Sequence, residues 1–220
     1  MNSFELLVAL KHQGYIKTTR DALWWPRSRT FWVVVGAILT QQSKWENVEK
    51  SIENLESLGV DSLEKLATLR METLVIAIQP SGFYHTKAKN LHQLATQILD
   101  KFGSFDFFCE HVSREWLLDQ KGIGEESADA ILCYACQREV LVVDAYTARL
   151  VKGFGYEFES YQELQAWMQE GVLHHFEKIQ KLYSREMSVA EVYARFHGKI
   201  VEFCKQNSKG KVVDIGSLSL

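Results

Sequence analysis

The sequence predicts an all-α protein, and three features carry that prediction. Apolar residues recur through most of the chain at the spacing of one buried helix face. Only Pro26 and Pro80 interrupt the chain, so long helices meet few breaks. Two Ser-x-x-Glu sequences, beginning at Ser160 and Ser188, have the pattern of a capping box that opens a helix.

The first half of the chain is predicted to be a series of helices separated by short turns. An amphipathic helix at 4–10 precedes Trp24-Trp25-Pro26, where the proline ends regular structure or begins a helix. A buried helix is predicted next from Phe31, Val34, Val35, Ile38 and Leu39. Further helical patterns occupy 45–55, 62–69, 72–79 and 88–99, with a turn at 80–82.

The stretch from Trp116 to Asp144 combines a tight turn with a carboxylate. Gly122-Ile123-Gly124 separates two predicted helices, and the amides of such a turn, opening onto a helix N-terminus, form an anion pocket suited to phosphate. An apolar run without Gly or Pro, at 140–143, then leads to Asp144. Two alternatives stay open: the glycine turn is a plain connector, and Asp144 is only the N-cap of a helix beginning at Ala145.

The remaining chain continues in the same pattern. A short helix is predicted at 145–152, followed by a break at Gly153 and Gly155 and by the two capped helices. The polar, glycine-containing tail from Gln206 is expected to be frayed.

Composition limits the classes of function. The 220 residues are 46% hydrophobic and 24% charged, as in ordinary globular proteins, and no apolar run could span a membrane. No signal peptide is evident, so a cytoplasmic protein is expected. The net charge of −3 argues weakly against nucleic acid and leaves room only for a small basic face. Cys133 and Cys136 lack a second pair for a metal cage, so buried free thiols are expected and no metal site.

Several motifs together resemble the helix-hairpin-helix DNA glycosylases of the endonuclease III superfamily. These motifs run in the family's order over about residues 28–200: Leu39-Thr40-Gln41-Gln42-Ser43, Gly82-Phe83-Tyr84 with Lys87-Ala88, Lys121-Gly122-Ile123-Gly124 with Ala128, Val142-Val143-Asp144, and His197-Gly198-Lys199. The turn alone is weak evidence, whereas the turn with the spaced aspartate is strong.

The resemblance implies a fold of two helical lobes with a DNA-binding cleft between them. Residues 28–130 would form the central lobe, with the hairpin, and residues 1–27 together with 131–220 would form the second. In such enzymes Lys121, Gly122, Ile123 and Gly124 would hold the DNA backbone. A flipped nucleotide would enter the cleft, where Asp144 would assist cleavage of the N-glycosidic bond.

The same resemblance assigns two side chains to the gap that a flipped base leaves. Gln41 occupies the position of the family's intercalating residue and can hydrogen-bond the orphaned base. Phe83, just after the 80–82 turn, can wedge into the stack, although ordinary core packing is an equal alternative for it.

Two departures from the family narrow the expected activity. Members that also cut the strand carry a lysine where this chain has Glu126, and a carboxylate cannot form the Schiff base. Many members end in a four-cysteine iron–sulfur cluster, but this tail contains only Cys204, so no cluster is expected. The layout resembles that of the compact, cluster-free 3-methyladenine DNA glycosylases of the superfamily, and the closest points of likeness are Trp24-Trp25-Pro26 and Arg195-Phe196-His197-Gly198-Lys199.

Aromatic residues in the cleft-forming segments agree with that substrate class. Trp24, Trp25 and Trp45, with Pro26 stiffening the pair, would favour a flipped base that carries positive charge, as alkylated purines do. Lys199 shares a helix face with Val192, Phe196 and Phe203, where charge is costly. We expect it under the pocket, neutral or covalently modified, for example as a carbamate; a lysine that reaches solvent is the alternative.

The leading hypothesis is therefore a monomeric, monofunctional glycosylase that releases alkylated purines from double-stranded DNA, acting at the nucleoid of a bacterial-type cytoplasm. The first alternative is a bifunctional endonuclease III-like glycosylase and lyase for oxidised pyrimidines, against which Glu126 argues. The second is a helix-hairpin-helix module that binds DNA without chemistry, against which Asp144 and the aromatic residues argue.

Overall fold

The computed structural model describes residues 2–16 and 22–218, and it confirms the predicted all-α class. The chain forms two compact units. We call Arg27–Cys136 the central unit, and Met1–Pro26 together with Gln137–Leu220 the terminal unit. The lobes predicted from the sequence, divided at 28 and 130, stay a prediction about domains.

The central unit is built from helices of different lengths that surround a buried one. Its helices are α2 Trp32–Leu39, α3 Trp45–Ser57, α4 Leu63–Thr68, α5 Met71–Ala77, a 3₁₀ turn Gln79–Ser81, α6 Tyr84–Phe102, α7 Phe105–His111, α8 Arg114–Leu118 and α9 Glu125–Ala130, which continues as a π-helix, Ile131–Ala135. Every residue of α2 is buried, as its run of apolar residues predicts. The long helix α6 packs against α2, α4, α5 and α7.

The terminal unit is organised around its longest helix. It contains α1 Ser3–His12, α10 Ala145–Gly153, α11 Tyr161–His174, α12 Phe176–Tyr183, α13 Val189–Asn207 and two short strands, β1 Ser208–Lys209 and β2 Val212–Val213. Helix α13 packs against α1 and α10 and is buried over most of its length. The predicted caps are present, because Ser160 and Ser188 accept the backbone N–H groups of Glu163 and Glu191.

The expectation of a frayed tail is wrong for the described residues up to 218. Helix α13 continues past Gln206 to Asn207, and β1 and β2 then form an antiparallel pair. Val213 and Leu218 are buried in the core of the terminal unit and hold this segment in place. The mostly polar composition of the segment did not indicate that these two residues would be buried. No helix among the described residues is both long and apolar enough to cross a membrane.

Candidate active site

Asp144 lies where an apolar run meets a helix in the terminal unit. Residues 140–143 form no regular element, yet Leu141 and Val143 are buried, and the Leu141 carbonyl accepts a hydrogen bond from Gln165 Nε2 at 2.8 Å. Asp144 is the N-cap of α10, since its Oδ1 accepts from Thr147 N at 2.8 Å and from Thr147 Oγ1 at 3.0 Å. The position of the Asp144 carboxylate is therefore fixed by the buried run before it in the chain and by the hydrogen bonds to Thr147 after it.

The second carboxylate oxygen of Asp144 faces a histidine. His197 Nε2 of α13 lies 3.5 Å from Asp144 Oδ2, and only 13% of the Asp144 side chain is exposed. Burial alone would raise the pKa of Asp144, but the contacts with His197 and Thr147 outweigh it, so its pKa lies below the ordinary value. The carboxylate is therefore ionised at neutral pH. Nothing in the sequence pairs His197 with Asp144, since the contact depends on how α13 packs.

Trp24 is held against the same part of α13. A Cβ on Gly198 would lie 2.4 Å from Trp24 Cγ, so only glycine allows the indole to approach this closely. Trp24 has a left-handed backbone, with φ +78°, and its Nε1 donates to Glu202 Oε1 at 3.1 Å. Its ring stands edge-on to the His197 ring at 5.4 Å between centroids. Trp24, His197 and Asp144 thus form one continuous cluster, which we call the Trp24 cluster.

The other predicted pocket residues have different surroundings. Trp25 is buried and stands edge-on to Trp24 at 6.3 Å, whereas Pro26 is half-buried in the turn that follows. Trp45 is a half-buried residue at the start of α3 in the central unit, so its place in a base pocket stays a prediction.

Lys199 is buried within the terminal unit, with 2% of its surface exposed, so the alternative that it reaches solvent is wrong. Its ammonium donates to the backbone carbonyl of Tyr15 and lies 5.9 Å from the centre of the Tyr183 ring. Burial, together with the positive charges of Arg195 and Lys11, lowers the pKa of Lys199 to about 8. Its observed contacts are with Tyr15 and Tyr183, so its role in the base pocket stays a prediction.

The lowered pKa of Lys199 predicts a pH-dependent stability. In the unfolded chain a lysine keeps its proton up to about pH 10.4, whereas the buried amine loses it near pH 8. Below pH 8 both states are protonated and the folded state bears the whole cost of the buried charge. Between pH 8 and about pH 10.4, the free energy of unfolding of the wild-type protein should therefore rise with pH, relative to that of Lys199→Met, by up to about 3 kcal/mol. Urea unfolding of both chains from pH 7 to 10.5 measures this difference; parallel curves would contradict it.

The predicted turn at Gly122 lies in the central unit, tightly packed against α6. Gly122 has φ +83°, and a Cβ there would lie 2.2 Å from Asn90 Nδ2 of α6, so the turn needs glycine for both conformation and space. Ile123 is buried, whereas Lys121 and Gly124 are exposed. The turn therefore approaches α6 at Gly122, buries the Ile123 side chain and leaves Lys121 and Gly124 open to solvent.

An ion pair joins the two helices that flank this turn. Arg114 of α8 donates from Nε to Asp129 Oδ1 at 2.7 Å and from Nη2 to Asp129 Oδ2 at 3.1 Å, and it also contacts Glu125 at 3.5 Å. Asp129 is fully buried in α9, so this two-point contact fixes the angle between the helices.

Gln41 and Phe83 both lie in the central unit. Gln41 Nε2 donates to the Gly122 carbonyl at 2.8 Å and to Ser127 Oγ at 3.1 Å, so its carboxamide rests on the glycine turn. Phe83 is 67% exposed and has a left-handed backbone, with φ +48°. The alternative that Phe83 is an ordinary core residue is therefore wrong.

The cysteines do not fit an iron–sulfur cluster. Cys204 is buried in the terminal unit, where its Sγ lies 3.7 Å from the Tyr146 carbonyl and burial raises its pKa to about 12. All four cysteines are thiols rather than disulfides, and Cys136 is half-buried rather than buried as expected. Among the described residues, no three His, Cys, Asp or Glu side chains are grouped so as to hold a metal ion. The absence of any cofactor stays a prediction.

Comparison with known proteins identifies the family. Residues 35–172 match the family model described as HhH-GPD superfamily base excision DNA repair protein. A Methanocaldococcus jannaschii protein that carries the name of a DNA repair glycosylase is 33% identical over 196 residues, which cover 86% of this chain and 83% of that protein.

Two solved structures are similar over nearly the whole chain. The crystal structure of H. pylori 3-methyladenine DNA glycosylase bound to 1,N6-ethenoadenine has 47% identity and a TM-score of 0.91, and the match covers 95% of this chain and 100% of that one. A trapped endonuclease III–DNA covalent intermediate has 19% identity and a TM-score of 0.69 over 99% and 92% of the two chains, a likeness of fold alone. The chain belongs to the HhH-GPD superfamily of base excision DNA repair proteins and is a DNA glycosylase of that family, with DNA as its partner.

Proposed function

We propose that this glycosylase is monofunctional and releases alkylated purines, chiefly 3-methyladenine, from double-stranded DNA without cutting the strand. The Trp24 cluster carries the proposal, because it combines an ionised carboxylate with an aromatic wall. The 3-methyladenine glycosylase named for the similar H. pylori structure supports the same substrate class.

The chemistry assigns a different task to each oxygen of Asp144. Oδ1 is engaged in capping α10, so Oδ2 is the oxygen that acts in the reaction. As the base leaves, positive charge develops on the sugar, and a nearby carboxylate stabilises that charge and accepts a proton from the attacking water. His197 is a positioning residue that orients Oδ2 and helps to keep the carboxylate ionised.

The aromatic residues explain the preference for a methylated purine. A purine methylated at N3 carries positive charge while it is still attached to the sugar, and an indole face attracts a cation. Trp24 and Trp25, stiffened by Pro26, supply that aromatic surface in the terminal unit. Such a base is also a good leaving group, so its release does not require a group that protonates it.

The proposed absence of lyase activity depends on Glu126. Strand cutting in this family requires an amine that attacks the sugar and forms an imine, and a carboxylate cannot form that bond. Glu126 is an exposed residue in the first turn of α9, at the position where the resemblance places the lysine of bifunctional members.

The central unit supplies the contacts with the DNA backbone and with the stack. The turn Lys121–Gly124 holds phosphates through its amides and the Lys121 charge. Gln41 fills the space of the flipped base, and Phe83 wedges between neighbouring bases. The exposed position of Phe83 supports this role. We further expect a monomer that acts in the cytoplasm.

Lys199 is proposed to be either a neutral amine or covalently modified, for example as a carbamate formed with carbon dioxide. The lowering of its pKa to about 8 supports the proposal, because it raises the unprotonated fraction above that of an ordinary lysine, and a carbamate forms from the unprotonated amine. Unfolding experiments with and without bicarbonate distinguish the two: added bicarbonate should stabilise the protein only if the carbamate forms.

A base-release assay on methylated DNA tests the proposed function. Released 3-methyladenine with uncut abasic strands is the expected result. Strands cut without added alkali or heat would indicate the bifunctional alternative. Binding of DNA without release of a nucleobase would indicate a module that only holds DNA. Chromatography measures the released base, and denaturing electrophoresis of the same reaction shows whether the strand has been cut.

A further inference from the structure

The central unit contains a buried lysine that the glycine turn and the Trp24 cluster do not involve. Lys87 of α6 is only 4% exposed, and its Nζ donates to two backbone carbonyls, those of Leu39 and Ser81, each at 2.8 Å. A buried ammonium is costly unless it is hydrogen-bonded, so the position of Lys87 depends on these two acceptors. Burial lowers its pKa below the ordinary value for lysine.

Both acceptors stand at the ends of helical segments. Leu39 is the last residue of α2, and Ser81 is the last residue of the 3₁₀ turn. The terminal carbonyls of a helix lack partners within it and carry partial negative charge, which a cation satisfies. The single ammonium of Lys87 therefore caps the C-terminal ends of two helical segments that are distant in sequence.

Each of these helix ends leads directly to a side chain assigned to the DNA stack. Gln41 follows Leu39 by two residues, and Phe83 follows Ser81 by two residues. The chain leaves both helix ends through left-handed conformations, with φ +52° at Gln42 and φ +48° at Phe83. Short connections of this kind allow little slack, so fixing the two carbonyls also fixes where the two loops start.

We propose that Lys87 is a positioning residue that couples the Gln41 loop to the Phe83 loop, so that the two side chains enter the duplex as a pair with a fixed separation. The proposal rests on the inserting roles given above to Gln41 and Phe83. Lys87 itself does not touch DNA. Without its ammonium the two loops lose their common anchor, although the Gln41 side chain keeps its contacts with Gly122 and Ser127. The opening of a paired, stacked lesion then becomes slower.

The test compares one lesion in two settings. The first substrate has the alkylated purine paired in a duplex, and the second has the same lesion opposite an abasic site, where unpairing costs less. Single-turnover release should fall about 10-fold or more with Lys87→Met on the paired substrate, and less than about 3-fold on the unpaired one. Lys87→Arg keeps a cation and several donors and should restore most of the loss. Gln41→Ala and Phe83→Ala serve as references for lost insertion.

A merely structural role for Lys87 gives a different pattern. If Lys87→Met only reduces the folded fraction, release falls by the same factor on both substrates, and that result overturns the proposal, as does no loss on either. Should Lys87→Met fail to fold, Lys87→Gln, which keeps an amide donor without the charge, replaces it.

A second measurement separates this inference from the proposed substrate. Duplex DNA with 2-aminopurine paired with thymine reports unstacking on binding, and it contains no alkylated base to release. A fluorescence rise with the wild-type protein that is lost in Lys87→Met and largely kept in Lys87→Arg supports the coupling, and an equal rise with Lys87→Met overturns it. If the wild-type protein shows the rise but releases no 3-methyladenine, the proposed substrate is wrong while the coupling is still tested.

Discussion

Replacing Asp144 with Asn should slow base release about 10²–10³-fold, the effect of removing one well-placed charge or dipole from a transition state. The substitution leaves the fold in place, because an asparagine oxygen can still accept from Thr147 N and cap α10. What disappears is the negative charge of Oδ2, which faces His197. Single-turnover release from methylated DNA measures the loss, and fluorescence anisotropy should show DNA affinity close to that of the wild-type protein.

The matched control for Asp144→Asn is the same exchange at Asp100, an exposed residue of α6. Asp100→Asn removes an equal charge from the chain and should leave release unchanged. Wild-type turnover in Asp144→Asn would refute the catalytic role of this carboxylate. Equal losses in the two variants would show that net charge, rather than position, governs the rate.

The local features of the fold were predictable because their causes are local. A Ser-x-x-Glu sequence satisfies backbone donors within one helical turn, so Ser160 and Ser188 mark the starts of α11 and α13 whatever surrounds them. The same reasoning placed Asp144 at the N-cap of α10, where its role as a cap agrees with an ionised carboxylate. The frayed tail was wrong because the anchors of that segment, Val213 and Leu218, act through a core formed by distant residues.

The contacts that complete the site are tertiary, and no local pattern encodes them. His197 faces Asp144 only because α13 packs against α10, and Lys87 meets Leu39 and Ser81 only because α6 passes both helix ends. A lysine beside alanine in a helix gives no sign that it is buried. The net charge of −3 was similarly uninformative, since binding to DNA depends on where charges lie rather than on their sum.

Replacing Gly198 with Ala should displace Trp24 and impair the base pocket. The new Cβ would lie 2.4 Å from Trp24 Cγ and 2.6 Å from Trp24 Cδ2, and a rigid indole cannot yield as a flexible chain end can. Overpacking of this kind costs about 1–3 kcal/mol of stability. Because stacking on an aromatic side chain contributes about 1–3 kcal/mol per base, the loss of the Trp24 wall should also lower kcat/KM about 10-fold or more.

The effect on the pocket can be separated from the effect on stability by substituting a second crowded glycine, which lies away from the Trp24 cluster. A Cβ on Gly171 of α11 would lie 2.2 Å from Ser3 Oγ, where α11 packs against α1. Gly171→Ala should therefore lower the melting temperature while leaving kcat/KM per folded molecule unchanged, whereas Gly198→Ala should lower both. If the two variants lose activity only in proportion to their unfolded fractions, Trp24 is a packing residue and the cation-binding wall must be sought elsewhere. A selective loss in Gly198→Ala, largest for the methylated purine and smallest for an uncharged lesion, is the result that a cation–π contact requires.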